Sequence, residues 1–276
     1  MFIKNLKLFN FKNHSEKSFD FSPEINCFVG NNGAGKTNIL DALHYLSMAK
    51  SFLGNLDAQN ILHESDFFAI EAEIQGEEKN DIIKVQLPKE GKKIIKKNDK
   101  TYERIADHIG FLPSVMISPY DSNLISDGSE SRRKFLDAMI SQTDSDYLFA
   151  LIQYQKTLQQ RNALLKYFAK NRTFDLDSLE IYNDPLNKFG TQIFEKRQRF
   201  VASILPTIQH FYEIISKGNE KVTVIYESNL NEQNFEEILS ENLEKDRVLT
   251  YTSQGIHKDD LRFEMNGNLI KKFGSQ

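Results

Sequence analysis

Residues 30–37 read Gly30, Asn31, Asn32, Gly33, Ala34, Gly35, Lys36 and Thr37, which satisfies the pattern G-x-x-x-x-G-K-[ST]. The run before them, Ile25, Asn26, Cys27, Phe28 and Val29, is short and mostly apolar and predicts a buried strand. After them Ile39, Leu40, Leu43, Leu46 and Ala49 recur at helical spacing, which predicts an amphipathic helix over 36–50. Strand, glycine-rich loop and helix in this order make a phosphate cradle. The glycines let backbone N–H groups converge on phosphate oxygens at a helix N-terminus whose dipole favours anions. Lys36 then neutralises the β- and γ-phosphates and Thr37 offers its hydroxyl to Mg²⁺, so the expected ligands are ATP and Mg²⁺. A phosphate loop alone does not separate a kinase from a GTPase or a mechanical ATPase.

Composition narrows the partners. Lysine and arginine total 35 against 39 acidic residues, a formal net charge of -4, so any DNA contact must be local. The first ten residues alternate apolar and polar, without the basic and apolar regions of a signal peptide, and no apolar stretch is long enough for a bilayer. The single cysteine, Cys27, excludes an intramolecular disulfide framework and a multi-cysteine zinc site, as expected in a reducing cytoplasm. Its apolar neighbours predict that it is buried in the strand.

Strand patterns cover 2–9 and 16–21, then 68–74, 82–87 and 92–97, with a Pro88, Lys89, Glu90, Gly91 turn before the last. These predict an antiparallel meander. From Ser129 to about Ser216 the pattern is helical, and Tyr147, Leu151, Tyr154, Leu158, Leu165 and Phe168 fall within roughly 100° on a helical wheel. That stripe suits a helical hairpin or coiled-coil arm. A second long helix is predicted over 184–215, with Pro185 in its first turn and a kink threatened by Pro206. A strand over 222–226, a polar helix over 233–245 and a hairpin turning at Asn266 and Gly267 follow. The helical block is thus inserted between two sheet-forming segments.

Two basic stretches are candidate DNA contacts. Residues 153–172 carry Lys156, Arg161, Lys166, Lys170 and Arg172 with no acidic residue. A solvated helix face is the competing reading, because these cations spread around the polar side of the wheel. Lys92, Lys93, Lys96 and Lys97, with Lys100 and Arg104 nearby, form the second stretch, and a strand edge blunted by lysine is its competing reading. His257 beside Asp259 and Asp260 fits a stabilised turn better than a catalytic group.

Residues 10–14 (Asn10, Phe11, Lys12, Asn13, His14), Phe21, residues 25–32 and residues 35–42 resemble the opening of SMC-family ATPases. Farther on, Ser118, Pro119, Tyr120 and Asp121, then Leu124 and Ile125, then residues 132–137 and residues 255–261 are similar to the RecF family, in that family's order. Phe273, Gly274, Ser275 and Gln276 match the start of the family's Ser-Gln-Gly-Gln-Gln signature. Three positions depart from the family: Tyr120 where glutamate is common, Ser129 where proline is common and Leu53 in place of an arginine.

The resemblance implies an α/β fold, a P-loop ABC-type (SMC/RecF-like) ATPase head with an inserted, mainly helical second lobe. Lobe I would comprise residues 1–112 and 246–276, and lobe II residues 113–245. It implies a cytoplasmic protein without membrane contact that binds DNA at single-strand gaps and forms an ATP-dependent homodimer. It further implies slow hydrolysis, cooperation with RecO and RecR in loading RecA, and support of the SOS response. Lys12 and Asn13 are expected near the nucleotide, and Ser275 and Gln276 in the signature that caps ATP on the other subunit. The acid-ended strand that follows in the family is not in this sequence, so the chain is expected to bind ATP without hydrolysing it by itself. Two alternatives stand beside this reading. Another SMC-like repair ATPase would need longer coiled coils than residues 144–216 supply, and a P-loop kinase or small-molecule transferase would need an acceptor pocket and lid.

Overall fold

The computed structural model describes residues 1–54 and 56–273, and the chain divides into two compact units, Met1–Met116 and Ile117–Gln276. In the first unit the elements run β1 (Phe2–Phe11), β2 (His14–Asp20), α1 (Lys36–Met48), β3 (Phe67–Gln75), β4 (Asn80–Pro88), β5 (Ile94–Lys97) and β6 (Lys100–Thr101). The strands form one antiparallel sheet in the order β2-β1-β3-β4-β5-β6. Alternation along β3 and β4 sends Phe68, Ile70, Ala72 and Ile74, with Ile83, Val85 and Leu87, into the core. Leu6 and Leu8 of β1 join them, and α1 contributes Ile39, Ala42, Tyr45 and Leu46 to the same core. The rings of Phe11, Tyr45 and Phe68 meet edge to face, a geometry that adds about 1 kcal/mol per pair beyond the area buried.

Residues 25–29 depart from expectation. They form no strand, and Ile25, Cys27 and Val29 are exposed, the first and last at 84% and 90%. The reason is the absence of a ladder partner among the described residues. Only Phe28 reaches the core, by packing its ring against Phe19 and Phe21.

The second unit contains α2 (Asn123–Ser126), α3 (Ser129–Ser141), α4 (Ser145–Asn171), α5 (Leu176–Ser216), β7 (Val222–Glu227), α6 (Phe235–Glu241), α7 (Leu243–Leu249), β8 (Asp260–Met265), β9 (Asn268–Leu269) and α8 (Ile270–Phe273). Asp144 caps α4 by accepting from the Tyr147 amide, and the predicted stripe buries Tyr147, Leu151, Tyr154, Leu165 and Phe168. The helical hairpin α4–α5 turns through Arg172, whose φ of 52° puts it in the left-handed region. Helix α5 starts at Leu176, so Pro185 lies in the third turn instead of the first. The predicted polar helix is two short ones meeting at Asn242.

Asn266 and Gly267, at φ 50° and 79°, make the predicted β8–β9 turn, after which a helical turn replaces further strand. The sequence reading joins residues 246–276 to residues 1–112. Within the second unit β8 pairs with β7 along its whole length and Asp246 is bonded to Arg161 of α4. Among the described residues, no helix is long and apolar enough to cross a membrane.

Candidate functional site

The phosphate loop opens α1. Gly30, Gly33 and Gly35 have φ of 152°, 83° and 89°, values that a Cβ-bearing residue rarely adopts. Gly35 is the N-cap of α1 and no side chain caps that helix, so its first-turn N–H groups are available to an anion. Lys36 Nζ donates to the carbonyls of Gly30, at 2.8 Å, and Asn31, at 2.9 Å, which holds the ammonium against the loop. Asn31, Asn32, Gly33, Ala34 and Thr37 are exposed, with the Thr37 side chain in the first turn of the helix.

The β1–β2 turn reaches the same loop. Asn13 Nδ2 donates to the Gly33 carbonyl at 3.1 Å, and Asn13 Oδ1 accepts from Asn38 Nδ2 at 2.8 Å. His14 Nε2 donates to the Gly35 carbonyl at 3.2 Å. Lys12 turns the other way. Its ammonium lies 2.5 Å from Asp41, which is fully buried and also accepts from the Ser51 hydroxyl and the Phe52 amide. Of the two residues expected near the nucleotide, Asn13 therefore touches the phosphate loop and Lys12 braces α1 from the side.

The basic candidates sort by burial. Arg161 is fully buried and cannot contact DNA: it donates to Asp246 and Thr252, each at 2.7 Å, and to Asn183 at 3.0 Å. A helix-wide count of cations cannot tell an inward arginine from an outward one. With Arg161 removed, the exposed Lys156, Lys166 and Lys170 lie within about 80° of one another on α4, a stripe the full set concealed. Lys93 is also committed, to Asp57 at 2.6 Å, the Ala49 carbonyl at 2.5 Å and the Tyr45 hydroxyl at 3.1 Å. Lys97 pairs with Asp81 at 3.2 Å and sits 3.6 Å over the Phe111 ring. Lys92 and Lys96 have no carboxylate partner among the described residues. The expected signature residues, Ser275 and Gln276, lie outside the described residues.

Two of the family-like motifs meet inside the second unit. Arg132 grips Asp260 through two nitrogens, at 2.6 and 3.0 Å, and also donates to the Leu124 and Asp127 carbonyls. Arg133 donates to the Asp259 carbonyl at 2.6 Å. Arg197, which sequence reasoning did not single out, lies between them: it bonds Asp137, Asp259 and the Ile256 carbonyl and is 1% exposed. Tyr226 donates to Asp259 and Tyr147 to Asp137 in the same cluster. The Ser118 and Asp121 motif is a helix-start device, with Ser118 Oγ accepting from the Tyr120 amide and Asp121 accepting from the Ser118 amide.

His257 is structural. Its Nε2 donates to the Thr252 carbonyl at 3.0 Å, so Nδ1 is the acceptor for the Tyr154 hydroxyl at 2.8 Å. Burial foremost, helped by Lys258 and Arg133, lowers its pKa to about 4. Between that value and the unfolded value of about 6.5, the unfolded chain binds a proton that the folded chain refuses. Stability therefore falls as pH drops through this window, by about 3 kcal/mol in all. Burial lowers His108 and His44 as well, in the same direction. His257→Gln is expected to flatten the acid limb of a plot of urea midpoint against pH; an unchanged limb would show that His257 does not set it.

A family model described as the RecF/RecN/SMC N terminal domain matches residues 2–226. The DNA replication and repair protein RecF of Flavobacterium johnsoniae is 53% identical over 276 residues, a match that covers 100% of this chain and 77% of that protein. RecF of Phocaeicola vulgatus is 44% identical over 279 residues, covering 100% and 74%. Among solved structures, the recombination mediator protein RecF-ATP in the RecFOR pathway matches with a TM-score of 0.94 at 29% identity, covering 100% of this chain and 76% of that one. Its RecF-ATPrS counterpart matches with a TM-score of 0.93.

Proposed function

Because the chain belongs to the RecF family, within the RecF/RecN/SMC N terminal domain group, we propose that it is an ATP-binding protein of DNA replication and repair. The observation that carries this is the loop over residues 30–37, with its uncapped helix start and its lysine held at the loop. ATP sits with its β- and γ-phosphates on this loop and Lys36, as the similarity to an ATP-bound RecF supports. Mg²⁺ would be held by the Thr37 hydroxyl together with phosphate oxygens and water, a donor set that suits its small, oxygen-preferring shell.

The DNA target in this reading is a single-strand gap, engaged by an ATP-dependent homodimer in the cytoplasm, with RecO and RecR as partners in loading RecA and support of the SOS response. Residues 1–112 and 246–276 would act together as the ATPase head, and residues 113–245 as its helical lobe. The exposed lysines of α4 would supply phosphate contacts. Fluorescence anisotropy with a gapped duplex tests the proposal: binding is expected to strengthen with MgATP and to weaken steeply with salt. Replacing Lys156 and Lys166 together by glutamine is expected to reduce the slope of log affinity against log salt by about two. An unchanged slope would exclude α4 from the contact, and ATP-independent binding to gapped DNA would overturn the ATP-dependent function.

A further inference from the structure

We propose that the β1–β2 turn is the positioning element of the phosphate loop, with Asn13 and His14 holding the loop in its binding shape and Lys12 fixing the turn to α1. The inference rests on the reading that residues 30–37 bind ATP. A loop with three glycines in the left-handed region is conformationally free, and freedom lost on binding weakens binding. Something must hold such a loop in place beforehand.

Two of its peptide groups are held from outside. The Gly33 carbonyl accepts from Asn13, while the amide on the other side of that peptide, Ala34 N–H, is bonded back to the Asn31 carbonyl at 3.2 Å. The Gly35 carbonyl accepts from His14 as well as from the Ile39 amide of α1. Because a trans peptide is planar, with its C=O and N–H opposed, fixing the Gly35 carbonyl fixes the direction of the Lys36 N–H. That N–H is one of the first-turn donors of α1, which no side chain caps. Contact is close: a Cβ on Gly35 would lie 2.5 Å from His14 Nε2 and 2.6 Å from Asn13 Oδ1.

The turn is itself immobilised, which a positioning element requires. Asn10 and Lys12 have φ of 49° and 54°, and the neighbouring segment straps them: Lys12 N–H donates to the Asn60 carbonyl at 2.7 Å and Leu62 N–H to the Asn10 carbonyl at 2.8 Å. Lys12 then reaches the fully buried Asp41 of α1 at 2.5 Å. The turn is thus tied to both the sheet and the helix that carries the loop.

Calorimetric titration of MgATP into wild-type chain, Asn13→Ala, His14→Ala and His14→Gln tests this. Asn13 is exposed, so its variant is expected to fold and to bind about ten-fold more weakly. His14→Ala should lose a similar factor, and His14→Gln, which keeps an N–H donor, should recover most of it. Faster hydrogen exchange in Asn13→Ala should be confined to residues 30–36. Wild-type affinity in Asn13→Ala, or no recovery in a folded His14→Gln, would overturn the inference while leaving ATP binding intact. No ATP binding by the wild type would overturn both.

Discussion

Arg161→Ala is expected to destabilise the second unit by about 3–5 kcal/mol, enough to unfold most single domains or leave them marginal. The magnitude comes from what stays behind. Asp246 is 1% exposed and keeps Ser253 as its partner, through the amide at 2.8 Å and the hydroxyl at 2.7 Å, but loses its only countercharge among the described residues. Thr252, which accepts from Arg161 and donates to Asn162 at 2.8 Å, loses its orientation at the same time. The network joins α4, α5 and α7 to the segment that leads to His257, so its loss should spread through the unit. Chemical unfolding followed by circular dichroism gives the number. Removing both charges, as Arg161→Met with Asp246→Leu, should recover most of the loss, because an apolar pair leaves no buried charge unpaired. A single variant as stable as wild type would mean that water reaches Asp246.

Lys36→Ala is expected to lower ATP affinity by about a hundred-fold or more, with no change in melting temperature. In the proposed site the charge-assisted contacts of Lys36 to phosphate oxygens would be lost, each contributing about 1.5–3 kcal/mol. Stability should survive because, among the described residues, Lys36 donates only to carbonyls of the exposed Gly30 and Asn31. Titration with a fluorescent ATP analogue, beside a thermal melt, separates the two effects. Unchanged affinity would move the nucleotide away from residues 30–37, and a collapsed melt would make the lysine structural.

Local chemistry was legible in the sequence. Glycine spacing located the positive-φ loop that opens α1, alternation located β3 and β4, and the Asn266–Gly267 pair located the last turn within a residue. Each depends on neighbours in sequence. What escaped depends on partners far along the chain. The apolar run over 25–29 has the pattern of a buried strand, yet pattern cannot supply the adjacent strand that burial needs. Arg161 and Lys93 look like surface cations until Asp246 and Asp57, remote in sequence, turn them inward. Arg197 gave no signal, since its acidic partners Asp137 and Asp259 lie about sixty residues away on either side. For the site, the positive-φ glycines and the helix start that follows them were readable, and Asn13 lies against that loop. The opposite course of Lys12 was not, because it follows from the burial of Asp41 beneath the turn.

Equilibrium titration of the wild-type chain with MgATP and with AMP tests most directly whether residues 30–37 hold the terminal phosphates of ATP. Saturable one-site binding of ATP is predicted, with AMP failing to compete at the same concentrations, because the loop and Lys36 grip the phosphates that AMP lacks. Equal affinity for the two nucleotides, or no binding of either, would contradict it.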